Sequence, residues 1–242
     1  MRRRSFLTAT VLSTSALAGC LGGGSGPATP SDDGASSTPA TSDGFERTEV
    51  EGEMVPLVPV DVTHEWYAGG TAKFADARGE GQYEEARIEG AVWSPAPDGR
   101  ADDPVEEWAT DERIVCYCGC PHHLSSLRAA DLIEKGYEAV YVIDEGFFEW
   151  ADRGHPVVGT AVEGSARVIR GRTHAAHAGE PVYASHGPTD QREAAFVGEN
   201  GAYELHLRFA DLGPSVEIRV DTPEQTVVAP LSELTDGVLT PP

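Results

Sequence analysis

The middle of the chain alternates between short apolar runs and segments in which apolar residues recur with the period of a helix. Short apolar runs are typical of buried strands, and here they precede or follow segments of helical period. These runs occupy residues 73–78, 86–93, 113–117 and 138–144. After the third run, apolar residues recur every three positions from Leu124 to Ile133, which predicts a helix that Gly136 ends. A shorter helix is predicted to end at Gly154. The alternation predicts an α/β fold with an open parallel sheet flanked by helices.

The pattern changes after residue 160. Tyr203, Leu205 and Leu207 alternate with polar residues, as expected for a half-buried strand. Further strands are predicted at residues 166–172, 215–221 and 226–231. The sequence GENG at residues 198–201 is a hairpin signal. Residues 161–242 are therefore predicted to form a small all-β, sandwich-like module, which we expect to dock on the first domain or on a protein partner.

The N-terminus has the features of an export signal. Arginines precede an apolar run of ~13 residues, which is too short to span a bilayer. The arginine pair followed by Phe6 and Leu7 resembles a twin-arginine signal, and LAGC, ending at Cys20, resembles a lipobox. We predict a signal peptide over residues 1–19 and a lipid on Cys20. An uncleaved anchor or a plain secretion signal is the alternative.

The segment that follows is a predicted tether. Residues 21–44 are mainly Gly, Ser, Thr, Pro and Asp and cannot form a core. The predicted organisation is a lipid-anchored flexible linker over residues 20–44, an α/β domain over 45–160 and the β-rich module. This places the protein on the outer face of the cell membrane, held there by its lipid.

The charge of the chain is strongly acidic. Eighteen Lys and Arg residues face 40 Asp and Glu residues, for a formal net charge of -22. Such a surface repels nucleic acid and anionic lipid, so neither is an expected ligand. The acidic residues are spread along the chain. This favours adaptation to very high salt, where the repulsion between their charges is screened. A simpler alternative is an acidic domain that is tuned for solubility.

The candidate chemistry lies in CYCGCPHHLSS, residues 116–126. This loop follows a predicted strand and precedes a predicted helix, so it lies at the carboxyl end of the sheet, where open α/β folds bind ligands. The amides at a helix N-terminus favour an anion and can lower a cysteine pKa from about 8.5 to ~3.5–7.5. We predict such a nucleophilic thiolate at Cys118, whereas Cys116, inside the strand, is predicted to be a core residue.

Several landmarks, in their order along the chain, resemble the rhodanese domain over roughly residues 55–160. They are Asp76-x-Arg78, Tyr83 with Ile88-x-Gly90-Ala91, Tyr117-Cys118, Gly136-Tyr137, and Gly146, Trp150 and Gly154-x-Pro156. The resemblance implies that Cys118 takes a sulfane sulfur, such as that of thiosulfate, and passes it as a persulfide to cyanide or a thiol. The expected partners are a small sulfur-containing donor and a thiol acceptor, and no cofactor is expected.

The loop departs from the family pattern. CGCPHHL is one residue longer than the usual loop and lacks its arginine, so a preference for thiosulfate is not expected, whereas persulfide chemistry on Cys118 is. A histidine of the loop supplies a cation only partly near neutral pH. The predicted catalytic and auxiliary residues are Cys118, Cys120 and His122. The predicted anion-binding residues are Gly119, Pro121, His123, Leu124 and Ser125.

Three alternatives use the same loop. Cys118, Cys120, His122 and His123 offer ligands for copper or zinc, although the primary hypothesis assigns no metal. Cys118 and Cys120 could form a strained disulfide, which would be compatible with sulfur transfer. A domain without the arginine could also have lost catalysis and only bind a metal or a protein partner through the loop.

Overall fold

Six strands form the main sheet of the protein. The computed structural model describes residues 44–119, 121–160 and 166–241. The strands are β1 (Glu46–Val50), β2 (Glu53–Val58), β3 (Lys73–Asp76), β5 (Val92–Trp93), β6 (Ile114–Tyr117) and β7 (Val140–Ile143). Their order is β1-β2-β7-β6-β3-β5, and only the β1–β2 pair is antiparallel. The predicted parallel sheet is therefore confirmed.

Helices cover both faces of this sheet. They are α1 (Val60–Ala68), α2 (Glu80–Glu85), α3 (His123–Glu134) and α4 (Gly146–Asp152). Side chains alternate along a strand, so Cys116 joins the core on the α3 face and Val115 joins the core on the α1 and α4 face. The predicted α/β fold flanked by helices is confirmed, and α3 ends where Gly136 adopts a φ of 91°.

The second half of the chain is rich in strands. They are β9 (Arg167–Arg172), β10 (Pro181–His186), β11 (Gln191–Phe196), β12 (Ala202–Leu207), β13 (Glu217–Asp221), β14 (Thr226–Pro230) and β15 (Val238–Leu239), with one helix, α5 (Leu231–Asp236). They form sheets of order β11-β10-β13-β14 and β12-β9-β15. Val182 of the first of these sheets and Ile169 of the second belong to the same hydrophobic core. The predicted all-β module is confirmed. In the first half, β4 (Ala86–Ile88) pairs with β8 (Val157–Gly159).

The predicted hairpin at residues 198–201 was wrong. The turn is tight, with a 2.8 Å bond from the Gly198 N–H to the Ala202 carbonyl, but it joins strands of different sheets. β11 pairs with β10, whereas β12 pairs with β9. A turn sequence specifies a reversal of the chain, while the burial of both strands determines which neighbours they pair with.

Some predictions fall outside the described residues. These are the signal peptide, the lipid site at Cys20, the linker up to residue 43, Cys120 and residues 161–165. The division of the chain near residue 160 stays a prediction. Within one compact unit, Asp43–Pro242, the elements above pack together. None of the helices in the described parts of the chain is long and apolar enough to cross a bilayer.

Candidate functional site

Cys118 lies where the sequence placed it, at the carboxyl end of an inner strand. β6 ends at Tyr117 between β7 and β3, and α3 begins at His123. The carbonyl of Cys118 accepts a 2.8 Å bond from the Phe147 N–H of α4. The cysteine is therefore held at the junction of β6, the loop and two helices.

The Cys118 thiol is buried, and it makes a polar contact with α3. Its sulfur lies 3.3 Å from the Ser125 hydroxyl, and the Ser125 backbone also hydrogen-bonds to it. Ser125, Leu124 and Gly119 are themselves buried around it. These three predicted anion-binding residues thus lie beside Cys118. Pro121 is exposed on the same loop.

The predicted low pKa of Cys118 is not what the structure shows. Burial, and to a smaller extent the Glu193 carboxylate, raise the pKa of this thiol to about 12. The Ser125 hydrogen bonds and the Arg78 guanidinium lower the pKa, but by less. The expectation considered only the helix N-terminus, whereas desolvation and a carboxylate from the second module act more strongly on the sulfur.

Cys116 is a core residue, as predicted. It has no exposed surface and packs among the apolar residues of the α3 face. Burial raises the pKa of its thiol to about 12. A cysteine in this position is a small hydrophobic side chain rather than a nucleophile.

The two histidines of the loop are neutral near pH 7. Burial lowers the pKa of His122, although its Nε2 is 3.7 Å from the Asp144 carboxylate. Burial also lowers the pKa of His123 to about 4, with a contribution from His122, and its ring lies edge-on to Phe196. Neither imidazole replaces the missing arginine as a cation. His122 has a φ of 35°, an uncommon conformation for a residue with a side chain.

A guanidinium that the loop sequence did not reveal acts on Cys118. Arg78 is buried after β3, and its Nη2 lies 2.6 Å from Asp76 Oδ2 and 2.6 Å from the Ala86 carbonyl. Asp76 and Arg78 form a buried ion pair, and the positive charge of Arg78 also reaches the Cys118 sulfur. The signal available in the sequence was the Asp-x-Arg motif at the end of the strand next to β6.

The other nearby arginine has a structural role. Arg128 of α3 is fully buried, donates to the Ser94 hydroxyl at 2.8 Å and lies 3.3 Å from Asp103 Oδ2. These partners hold α3 against the segment that follows β5. The Arg128 guanidinium therefore stabilises the packing of α3.

The C-terminal module forms part of the site. Glu193 of β11 is 1% exposed, and its Oε2 lies 3.4 Å from the position that a Cβ on Gly119 would take. On another side of that position, Phe148 Cε2 lies at 3.0 Å. Sequence reasoning missed Glu193, because a single glutamate in a short strand carries no local sign of a distant partner.

The described residues do not gather a metal-binding cluster. Within residues 44–119, 121–160 and 166–241, no group of three or more His, Cys, Asp or Glu side chains is placed to hold a metal ion. Cys120, a ligand in the metal alternative, lies outside these ranges.

Comparison with known proteins bears on the first half of the chain. Residues 60–153 match the rhodanese-like domain family. No curated protein matches the sequence at a significant level. Among solved structures, similar ones include the BH2092 protein from Bacillus halodurans, which is 20% identical over 43% of this chain and 77% of its own, with a TM-score of 0.39.

Two further solved structures are similar to this chain. The rhodanese-like domain of the Alr3790 protein from Anabaena sp. is 22% identical over 44% of this chain and 81% of its own, with a TM-score of 0.39. The human single-domain sulfurtransferase TSTD1 is 16% identical over 41% of this chain and 97% of its own, with a TM-score of 0.36. The family match indicates a rhodanese-like domain at residues 60–153.

Proposed function

We propose that this chain, with its rhodanese-like domain at residues 60–153, is a sulfurtransferase that carries sulfur on Cys118. One observation supports the proposal above others. Cys118 begins the loop at the carboxyl end of β6, the place where an open parallel sheet binds its ligands. The thiol there has a hydroxyl partner and a guanidinium within electrostatic reach.

The proposed reaction has two displacements. The Cys118 thiolate attacks the outer sulfur of a persulfide, R–S–SH; the S–S bond breaks, R–S⁻ leaves, and Cys118–S–SH forms. An acceptor thiolate, R′–S⁻, then attacks the outer sulfur, which gives R′–S–SH and returns the Cys118 thiolate. No oxidant or reductant enters, because each step exchanges one S–S bond for another.

The protein's own residues favour the thiolate in particular ways. The Ser125 hydroxyl and backbone N–H donate to the sulfur, and Arg78 adds positive charge nearby. Burial and Glu193 oppose them, so the thiolate is a minor species near pH 7. Cys120 is proposed as an acceptor thiol: its thiolate attacks the outer sulfur of the Cys118 persulfide, the S–S bond breaks, and the Cys120 persulfide and the Cys118 thiolate result. His122 is proposed as an auxiliary polar group just before α3.

The test is sulfur transfer by the full chain at high salt. The protein is offered thiosulfate or a glutathione persulfide donor, with cyanide or a thiol as acceptor, and the mass of the trapped protein is recorded. An adduct of about 32 Da that disappears in Cys118→Ser supports the proposal. Cys116→Ala is the matched control, since it removes the other fully buried thiol on the same face of the chain, two residues before Cys118. An adduct that survives in Cys118→Ser contradicts the assignment.

A second candidate function is a non-catalytic binding module. The buried, high-pKa thiol of Cys118 favours it, as does the exposure of Pro121 on the loop surface. In this case the loop contacts a metal ion, copper or zinc, or a protein partner. The absence of an adduct from every donor, together with metal retained through purification or a partner lost in Pro121→Ala, would favour this reading.

The proposal includes export and a lipid anchor. The motifs that support them are the arginines before Phe6 and the LAGC sequence that ends at Cys20. The spread of acidic residues supports a protein that works at high salt. Radiolabelled fatty acid should enter the chain in the cell and be absent in Cys20→Ser, and a labelled Cys20→Ser protein would contradict the anchor.

A further inference from the structure

A broad cavity lies at the edge of the main sheet, where β5 is the last strand. Its volume is about 590 Å³, within the range of about 300–1,000 Å³ that is usual for small-molecule sites. Lys73 pairs with Ile114 at the start of β6, whereas Cys118 follows the end of that strand, so the cavity is separate from the Cys118 site. The lining includes Tyr67 of α1, Lys73 and Phe74 of β3, Glu89 and Gly90 of the turn before β5, and Trp108.

We propose that this cavity binds a small zwitterion with an aromatic body, such as an aromatic α-amino acid. The Lys73 ammonium binds the carboxylate of the ligand, Glu89 binds its ammonium group, and the aromatic walls pack on its ring. This site is an addition to the proposed sulfur transfer and takes no part in the chemistry of Cys118.

The aromatic walls are held in place by their own contacts. The Tyr67 and Phe74 rings meet edge to face, with their centres 5.6 Å apart and their planes at 78°. The Tyr67 ring meets the buried Trp150 ring in the same way at 5.4 Å. Phe74 is itself buried, whereas Tyr67 and Trp108 keep part of their surface exposed. Because these rings are already fixed, they lose little freedom when a ligand ring packs on them.

Lys73 is positioned to receive a carboxylate. Its Nζ lies 2.6 Å from Glu112 Oε2 and 4.9 Å from the centre of the Trp108 ring. The Glu112 carboxylate also accepts a 3.2 Å bond from the Ala109 N–H, which holds it in place. An ammonium group has three N–H donors, and the Lys73 side chain is 41% exposed. Donors therefore remain for a ligand after the contact with Glu112 is made.

Glu89 lies at the tip of a tight turn. The Ala91 N–H donates to the Ile88 carbonyl at 3.1 Å, and Gly90 has a φ of 82°, as a type II turn requires at its third residue. The Glu89 N–H donates to the Pro156 carbonyl at 3.2 Å, which joins the turn to the segment after α4. The backbone of Glu89 is therefore fixed, while its side chain is exposed.

The Glu89 carboxylate is unpaired and within electrostatic reach of an aromatic ring. In the part of the chain that the structure describes, it has no ion-pair or hydrogen-bond partner. Burial, and then the charge of Glu89, raise the pKa of Tyr67, so this charge acts at the ring. A cationic group placed between them gains an ion pair with Glu89 and an attraction to the face of the Tyr67 ring.

The two charges together select the class of ligand. Lys73 and Glu89 are the charged side chains among the described residues of the lining, and they have opposite signs. An anion without an ammonium group is repelled by Glu89, and a cation without a carboxylate is repelled by Lys73. The net charge of -22 disfavours the anion further. A zwitterion satisfies both side chains.

The experiment compares three compounds of similar shape with full-length protein. They are phenylalanine, 3-phenylpropionate, which lacks the ammonium group, and phenethylamine, which lacks the carboxylate. Binding is followed by NMR through the indole N–H of Trp108. Phenylalanine should bind roughly threefold more tightly than either of the other two, because a partly exposed ion pair contributes modestly. No binding of phenylalanine, or equal affinities for the three compounds, would overturn the proposal.

Single substitutions assign each charge. Glu89→Gln should remove the advantage of phenylalanine over 3-phenylpropionate and keep its advantage over phenethylamine, and Lys73→Met should do the reverse. Glu134→Gln, which removes an exposed charge at the end of α3, is the matched control and should keep both ratios. A charge variant that leaves both ratios unchanged would contradict the role of that residue. Cys118→Ser should bind phenylalanine as the wild type does, and a loss of binding there would contradict a separate site.

Discussion

The hydroxyl of Ser125 lies 3.3 Å from the sulfur of Cys118, whereas the next hydroxyl along α3, that of Ser126, is buried with no hydrogen-bond partner among the described residues. The two side chains are chemically identical, and both are fully buried. They therefore form a natural pair for separating the effect of a hydrogen bond to the thiolate from the effect of a small change in the core.

Ser125→Ala should slow the reaction of Cys118 with iodoacetamide. The hydroxyl stabilises the thiolate, so its loss raises the pKa of Cys118 further and reduces the rate near pH 8 by about tenfold. Ser126→Ala should leave this rate unchanged, and removal of its unpaired hydroxyl should not destabilise the fold. The measurement is the alkylation rate at Cys118 by mass spectrometry. Equal rates in the two variants would refute the role of Ser125.

Gly81→Ala should loosen the contact between the second module and α2. A Cβ on Gly81 would lie 2.0 Å from the Thr189 carbonyl oxygen, so the backbone must move, at a cost of roughly 1–3 kcal/mol. We expect faster hydrogen exchange of β11 and faster labelling of Cys118. Gly187→Ala is the control in the facing turn, where nothing lies within 4 Å of the added carbon. A protected β11 in Gly81→Ala would contradict this account.

Asp76→Asn should destabilise the protein by about 3–5 kcal/mol, because it leaves the Arg78 charge buried without its counter-ion. Urea unfolding gives the change in free energy. Asp111→Asn, at an exposed position, should change it by less than about 0.5 kcal/mol. Because a buried pair is poorly screened, the loss should persist at high salt. A loss that disappears in concentrated KCl would contradict a buried-pair mechanism.

His123 should make the protein sensitive to acid. Its folded-state pKa of about 4 is below the ordinary value of 6.5, so the unfolded chain binds the proton first. The stabilisation is present above pH 6.5 and is lost as the pH falls towards 4, by up to about 3 kcal/mol. His123→Gln should flatten this decline in urea unfolding, while His174→Gln, an exposed control, should keep it. A full decline in His123→Gln would exclude His123 as its source.

The parallel α/β fold and the position of the candidate nucleophile followed from local patterns. The strand before Cys118 and the helix after it are both marked by hydrophobic periodicity, and their order along the chain determines a parallel sheet. The burial of Cys116 also followed, since the residue lies inside a strand with apolar neighbours. These features depend on residues that are close together in the sequence.

The remaining properties of the site depend on contacts between distant segments. The sequence predicted that Leu124 and Leu127 face the core. Ser125, Ser126 and Arg128 are buried as well, because β11 packs on α3 and because the segment after β5 covers Arg128. The contact of β11 with α3 brings Glu193 beside Gly119. Burial of the Cys118 thiol, with a smaller contribution from Glu193, raises the pKa that was expected to fall.

The sequence by itself therefore determined which cysteine begins the loop after β6 and which elements hold it, because strand and helix periods are local. Only the tertiary structure decided the charge and solvation of that cysteine. Arg78 is 40 residues before it and Glu193 is 75 residues after it, and no local rule relates the three positions. The pKa of a buried thiol depends on every charge near it in space, and folding alone determines which charges those are.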